Sequence, residues 1–148
     1  MSNNNVEVAR PRLDHYGDHA SIGTSRPKIS WEVAAAPTGW RQAAYEVALE
    51  IEGQTLSKTR ESSDQILVPW CFAPLSSRQR GRLRVRVQGD DGQWSNWSYE
   101  TAFRTTLLKP DEFVGDMISP VDIGGLEDPA PILSKTFQLD DIPHEAFL

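Results

Sequence analysis

Cysteine is almost absent from this sequence, because Cys71 is the only one among 148 residues. A single cysteine cannot form an intrachain disulfide bond, and such usage is typical of a reducing compartment. No segment approaches the roughly 18 apolar residues that suggest a membrane-spanning helix. Residues 1–12 also lack the basic and then apolar plan of a signal peptide. We therefore expect a cytoplasmic location.

Motifs of known catalytic chemistry are lacking as well. The sequence contains no G-x-G-x-x-G, P-loop, G-x-S-x-G or H-E-x-x-H pattern. Cys71 lies in the apolar segment 68–72, where the pKa of a thiol rises and its reactivity falls. The acidic pair at 90–91 belongs to a turn, and the pair at 140–141 follows a predicted strand. We predict no catalytic residue and no cofactor.

Four residues near the N-terminus superficially resemble a metal cluster. They are Asp14, His15, Asp18 and His19. They lie around Gly17 in a polar stretch that offers no two further ligands at regular spacing. A solvated loop is the better interpretation, and we predict no metal site.

The negative charge is concentrated in the C-terminal part of the chain. Residues 1–109 carry 14 Lys or Arg against 12 Asp or Glu, whereas residues 110–148 carry Lys135 against 9 acids. Phosphate backbones require clustered cations, so nucleic acid is not an expected partner. Because the tail is also rich in Pro and Gly, we predict a domain over 1–108 and an acidic linker over 109–148 that leads into a second domain.

Between residues 28 and 105, apolar side chains alternate with polar ones in short segments separated by turns. The predicted strands cover 6–13, 28–33, 45–51, 55–59, 65–68, 81–89 and 99–105. This spacing predicts an all-β, seven-stranded immunoglobulin-like or fibronectin type III-like sandwich with an extended C-terminal tail. The side chains expected in its core are Trp31, Tyr45, Val47, Leu49, Leu83, Val85 and Phe103.

The most specific feature is Trp94-Ser95-Asn96-Trp97-Ser98, which follows a predicted turn at 89–92 and faces strand 81–89. Its three-residue spacing places both tryptophans on one side of an extended segment. We predict that arginines from strand 81–89 stack on them, with glutamates 46, 50 or 52 at their outer edges. This Trp-Arg ladder comprises Trp94, Trp97, Arg82, Arg84 and Arg86.

The same tryptophans also permit a functional interpretation. Trp94 and Trp97, with Trp40 or Trp70, could form a stacking platform for a sugar. We favour the structural ladder, because aromatic faces covered by arginine are already satisfied.

Residues 132–139 read as one more strand. A lone strand cannot make a sheet. We therefore expect it to start a second, truncated β-sandwich domain or to pair with a partner, which could produce a dimer.

An ordered series of segments resembles the N-terminal region of bacterial α-L-rhamnosidases. The segments are Arg26-Pro27-Lys28-Ile29-Ser30-Trp31-Glu32-Val33, Gln42-Ala43-Ala44-Tyr45-Glu46-Val47, Ser63-Asp64-Gln65, Arg84-Val85-Arg86-Val87, Gly92, Trp94-Ser95-Asn96-Trp97-Ser98 and Phe103-Arg104-Thr105. In that family a fibronectin type III-like domain opens with a Pro-x-x-Ser-Trp strand and closes with a Trp-Ser pair before a Phe-x-Thr strand. The tail also resembles the family at 107–111 and at 131–137, although Glu112-Phe113 departs from its usual pattern.

The resemblance implies a parent enzyme that hydrolyses terminal α-L-rhamnosyl groups with acidic residues of a later (α/α)₆ barrel. None of those acids can be placed on this chain, so we expect a non-catalytic accessory domain whose partners are the other domains of the parent. Two alternatives remain. One is a freestanding carbohydrate-binding module. The other is a protein-interaction module like a cytokine receptor, where Trp-Ser-x-Trp-Ser also closes the domain.

Overall fold

The computed structural model describes residues 6–116, 118–120, 125 and 129–142. The chain divides into two units, which cover 1–113 and 114–148. No helix among the described residues is long and apolar enough to cross a membrane.

The described part of the first unit contains nine strands and one turn of 3-10 helix. The strands are β1 (Glu7–Val8), β2 (Arg12–Leu13), β3 (Ala20–Ile22), β4 (Ile29–Ser30), β5 (Val33–Ala35), β6 (Gln42–Ile51), β7 (Gln54–Glu61), β8 (Arg80–Gly89) and β9 (Thr101–Thr105), and the 3-10 turn is Pro110–Glu112. The prediction of an all-β sandwich is confirmed, whereas its count of seven strands is not.

One layer is a five-stranded sheet in the order β3-β9-β8-β6-β7. Its central strands β6 and β8 are antiparallel over ten residues each, and β3 runs parallel to β9 at one edge. Two short ladders, β1 with β5 and β2 with β4, supply the N-terminal strands. Buried residues of these ladders and of the five-stranded sheet form one hydrophobic cluster.

The period-two pattern explains which residues form this core. On β6, Tyr45, Val47 and Leu49 are buried, while Glu46 and Glu50 lie on the outer face with the small Ala48 between them. All seven side chains that the sequence places in the core are at most 6% exposed. Burying one such side chain contributes about 1.5 to 3 kcal/mol, so alternation on two long strands dictates which face turns inward.

The short strands differ most from prediction. The segment 6–13 forms two strands, β1 and β2, which pair with different partners on either side of Pro11. Proline has no N–H to donate to a ladder, so pairing is interrupted there. Strand β3 was not predicted, because three residues carry too little periodicity to be recognised.

The predicted strand at 65–68 is also corrected. Val68 and Ile29 exchange two backbone hydrogen bonds of 2.8 Å, and the carbonyl of Gln65 accepts one from Trp31. Leu67 between them has a φ of +51°, which removes it from the extended conformation. The segment therefore touches β4 at two points without forming a continuous strand.

In the second unit, none of the described residues forms a strand, so the strand predicted at 132–139 is not found. Ile132 and Phe137 are 91% and 71% exposed. A strand requires a hydrogen-bonded neighbour, and this segment has none among the described residues.

The first unit ends at Phe113, so the 3-10 turn belongs to it. The carboxylate of Glu112 accepts hydrogen bonds from Ser77 and from the amides of Leu108 and Lys109. These bonds attach the 3-10 turn to the first unit.

Candidate functional site: the Trp-Arg ladder

The two serines of the Trp-Ser-x-Trp-Ser segment hold it against β8. The amide of Ser95 donates to the carbonyl of Val87 at 2.8 Å, and its Oγ accepts from the Val87 amide at 3.0 Å. Ser98 makes the same pair with Val85, at 2.8 and 3.0 Å. Each serine thus satisfies both backbone groups of one β8 residue, which would otherwise need a neighbouring strand.

This attachment brings both tryptophans over arginines of β8. The Cζ atom of Arg86 lies 4.9 Å from the ring centroid of Trp94 and 4.6 Å from that of Trp97. The Cζ atom of Arg84 lies 4.8 Å from the Trp97 centroid. These distances fall within the roughly 6 Å range of cation–π attraction, which contributes about 0.5 to 1 kcal/mol at an exposed site and more where water is excluded.

Glu46 occupies the other edge of Arg86. The two residues are direct neighbours across β6 and β8, and Nε and Nη2 of Arg86 lie 2.7 and 2.5 Å from one carboxylate oxygen of Glu46. The Glu46 side chain is only 13% exposed. Arg86 is therefore held by a shielded carboxylate and two indoles together.

The fifth predicted member of the ladder, Arg82, lies elsewhere on the same face. Its Nη1 is 3.8 Å from the carboxylate of Glu100, and its side chain is 60% exposed. Glu50 is its cross-strand neighbour, whereas Glu52 accepts a hydrogen bond from Gln79. Of the three predicted glutamate caps, Glu46 is the one that contacts a ladder arginine.

The remaining tryptophans do not join this surface. Trp70 is 6% exposed, donates from Nε1 to the carbonyl of Ala73, and makes edge contacts with Phe72 and Phe103. Trp40 packs against Gly89 at another place. Neither Trp40 nor Trp70 thus joins Trp94 and Trp97 in the sugar platform considered from the sequence.

The two aspartates of the group that resembled a metal cluster accept backbone hydrogen bonds instead. Asp14 accepts a hydrogen bond from the Lys28 amide at 2.8 Å, and Asp18 accepts one from the Ala102 amide at 2.7 Å. Asp18 also pairs with Arg10. The Ala102 hydrogen bond is the main cause that lowers the pKa of the Asp18 carboxyl. Across the described ranges, no three His, Cys, Asp or Glu side chains are grouped to hold a metal ion.

The remaining candidates from the sequence are the thiol of Cys71 and the two acidic pairs. Burial raises the pKa of the half-buried Cys71 thiol, which keeps it protonated. Asp91 accepts a hydrogen bond from the Gln93 amide in the predicted turn, where Gly92 has a φ of +77°. Asp140 and Asp141 are exposed.

Sequence reasoning missed the roles of Ser95, Ser98 and Gln42. Gln42 is 7% exposed, and its Oε1 accepts from the Trp31 indole at 3.2 Å. The only sequence signal for the two serines was that each follows a tryptophan. Gln42 is a single polar residue at the start of β6, and no sequence pattern marks its role.

The fold defines an immunoglobulin-like β-sandwich domain. The family profile described as "Rha78A-like, N-terminal immunoglobulin domain" matches residues 8–109. The chain belongs to this family of N-terminal domains, as its sequence resemblance predicted.

Similar proteins support the same assignment. An α-L-rhamnosidase of Streptomyces avermitilis is 30% identical in an alignment of 121 residues that covers 77% of this chain and 12% of the relative. The solved α-L-rhamnosidase of Aspergillus terreus is 32% identical with a TM-score of 0.68, covering 74% of this chain and 13% of that one. The Streptomyces avermitilis α-L-rhamnosidase complexed with L-rhamnose is 27% identical with a TM-score of 0.65, covering 74% and 11%. The chain therefore spans about an eighth of these relatives, which agrees with an accessory role.

Proposed function

We propose that this chain is the N-terminal accessory domain of a longer enzyme that hydrolyses terminal α-L-rhamnosides. The observation that supports this most is the family match over residues 8–109, together with relatives that carry this activity in much longer chains. In this proposal the domain packs against the other domains of the parent or spaces them, and the chemistry belongs to those domains.

Three acidic side chains of the first unit are committed to structural hydrogen bonds, which supports a non-catalytic role. Glycoside hydrolysis usually requires two free carboxyl groups that flank the scissile bond, about 5 to 10 Å apart. Asp18, Glu46 and Glu112 each accept hydrogen bonds from backbone amides, Arg86 or Ser77. Carboxylates committed in this way hold the fold and are poorly placed to exchange protons with a substrate.

Activity assays test this proposal directly. The 148-residue chain should not hydrolyse a chromogenic aryl α-L-rhamnoside, whereas the parent protein should. The proposal is wrong if the chain alone releases the chromophore, or if the parent is inactive on rhamnosides and cleaves another glycoside.

Two parts of this proposal need their own measurements. Dimerisation through residues 132–139 is supported by the exposure of Ile132 and Phe137, and sedimentation of the chain beside its Phe137→Asp variant tests it. Equal monomer mass for both would exclude it.

A cytoplasmic location is supported by the single cysteine, and recovery of the parent from the culture medium would contradict it.

A further inference from the structure

A groove opens between the connection from β5 to β6 and the segment that follows β7. Its volume is about 500 Å³, and its lining includes Val33, Trp40, Arg41, Gln42, Ser63 and Gln65. Small-molecule sites typically measure roughly 300 to 1,000 Å³ and combine apolar walls with a few placed polar groups. The groove lies in the first unit and shares no residue with the Trp-Arg ladder.

The floor of the groove includes Gln42, whose side-chain oxygen and nitrogen both form hydrogen bonds. Besides accepting from Trp31, its side chain donates from Nε2 to the carbonyl of Ser62 at 3.0 Å and to that of Asp64 at 3.1 Å. These bonds tie the segment after β7 to the start of β6. These bonds fix the spacing of the two sides in the folded chain, and such preorganisation lowers the entropic cost of binding.

Trp40 forms one wall of the groove, and both its backbone amide and its indole contact other residues of the fold. Its amide donates to the carbonyl of Pro37 at 3.1 Å, in a turn where Gly39 has a φ of +81°. Its indole packs against Gly89 so closely that a Cβ there would lie 2.4 Å from Nε1. The ring is half-buried against Gly89, and Trp40 lines the groove with its remaining exposed surface.

The rim of the groove carries polar side chains that the fold does not use. Within the described part of the chain, the side chains of Arg41, Ser63 and Gln65 make no hydrogen bond or ion pair. Ser63 and Gln65 can each donate and accept, whereas Arg41 only donates. Arg41 is the single charged residue in the lining, and none of the lining residues is Asp or Glu.

We propose that this groove is a non-catalytic site for one unit of a neutral saccharide. A sugar ring presents an apolar C–H face, which suits the indole, and hydroxyl groups that both donate and accept, which suit an amide and a hydroxyl. One guanidinium is too little for a nucleotide or phosphate, which needs clustered cations or amides. Because no carboxylate lines the groove, it holds a saccharide without cleaving it.

This inference does not rest on the proposed function, since the groove's chemistry is independent of what the other domains do. A failure of this inference can also be distinguished from a failure of the proposed function. Groove variants placed in the parent should leave hydrolysis of a small chromogenic rhamnoside unchanged, whatever the result of the binding experiment.

Titration of the 148-residue chain with methyl α-L-rhamnoside, followed by the indole N–H signals in ¹H–¹⁵N NMR spectra, tests the site. The Trp40 signal, assigned from a Trp40→Phe variant, should shift saturably with a dissociation constant of about 1 mM, as expected for a single sugar ring in an open site. Gln65→Ala and Ser63→Ala should each weaken binding about two- to tenfold, because each removes one hydrogen bond.

The controls separate binding from folding. Ser63 is exposed, Gln65 is half-buried, and neither side chain has a hydrogen bond to lose, so their alanine variants should melt like the parent sequence. Tyr99→Ala changes a side chain that is 81% exposed and lies outside the groove, so this variant should bind normally. The proposal is overturned if methyl α-L-rhamnoside and methyl β-D-glucoside both leave the Trp40 signal unmoved, or if the shift persists unchanged in Gln65→Ala and Ser63→Ala. The proposal of a neutral saccharide is also overturned if the chain binds D-galacturonate but neither neutral glycoside, and if Arg41→Gln abolishes that binding. Such a result would indicate an acidic sugar.

Discussion

The guanidinium of Arg86 lies over the indole of Trp97, with 4.6 Å between Cζ and the ring centroid. The same guanidinium contacts Glu46 on its other side. Arg86 therefore connects β6 to two later segments, its own strand β8 and the Trp-Ser-x-Trp-Ser segment that follows it. These contacts join the outer face of β6 and β8 to the two indoles.

Arg86→Ala should lower the free energy of unfolding by about 1 to 3 kcal/mol, because it removes two cation–π contacts and leaves the shielded Glu46 carboxylate unpaired. A double-mutant cycle with Trp97→Ala should show a coupling energy of about 0.5 to 2 kcal/mol in urea unfolding. Arg82→Ala is the matched control, and its exposed pair with Glu100 should contribute less than about 1 kcal/mol. Equal losses for Arg82 and Arg86 would refute the role assigned to the ladder.

Ser98→Ala should cost about 1 to 3 kcal/mol of stability, because the Val85 amide then lacks its acceptor inside the sheet. Amide hydrogen exchange should show faster exchange at Val85, a change that a general loss of stability would not confine to one residue. Ser57→Ala on the exposed strand β7 should have little effect on either measurement. Unchanged exchange at Val85 would mean that Ser98 is dispensable.

Gly81→Ala should destabilise the domain by about 1 to 3 kcal/mol through overpacking. A Cβ at this position would lie 2.6 Å and 2.9 Å from two ring atoms of Phe103, and 3.1 Å from the carbonyl oxygen of Glu50. Gly17→Ala, where a Cβ meets no atom within 4 Å, is the control for changing glycine to alanine. Thermal melting of both variants decides, and a melting temperature for Gly81→Ala at or above the parent value would contradict the prediction.

Asp18 should contribute to stability at neutral pH and lose that contribution in acid. The hydrogen bond from the Ala102 amide, followed by the charges of Arg10 and His19, lowers its pKa in the folded state below the ordinary 3.8. A depressed carboxyl pKa stabilises the fold above the unfolded-state value, and the effect disappears as the pH falls through the folded-state value. The relevant window therefore lies below about pH 4.

Asp18→Asn tests this linkage by urea unfolding at about pH 7 and about pH 3. The variant should be less stable than the parent sequence at the higher pH, and the difference should shrink at the lower one. A difference that stays constant between the two pH values would show that the Asp18 charge does not contribute.

Much of the fold was predictable from local pattern. The alternation of Tyr45, Val47 and Leu49 identified β6 and its inward face, because a period of two leaves only one register that buries these side chains. The spacing of Trp94 and Trp97 beside a strand of arginines likewise predicted a stacked surface. Both are strong patterns over several residues, and neither depends on knowing where the rest of the chain lies.

Local pattern was insufficient where a partner distant in sequence decides the structure. Strand β3 exists through parallel pairing with β9, some 80 residues later, and the segment 65–68 is broken by the positive φ of Leu67. The proposed groove depends on Gln42, whose hydrogen bonds reach residues 31, 62 and 64. No periodicity in the sequence encodes such contacts.

The amino-acid sequence by itself thus determined the all-β class, the core residues of the long strands and the family to which the domain belongs. Only the tertiary structure decided that Arg86 rather than Arg82 joins the indoles, that the two serines replace a strand for β8, and that Trp40 faces a groove. The physical reason is that burial and alternation are summed along the chain, whereas hydrogen bonds and ring contacts depend on distances between segments that are determined only when the sheets pack.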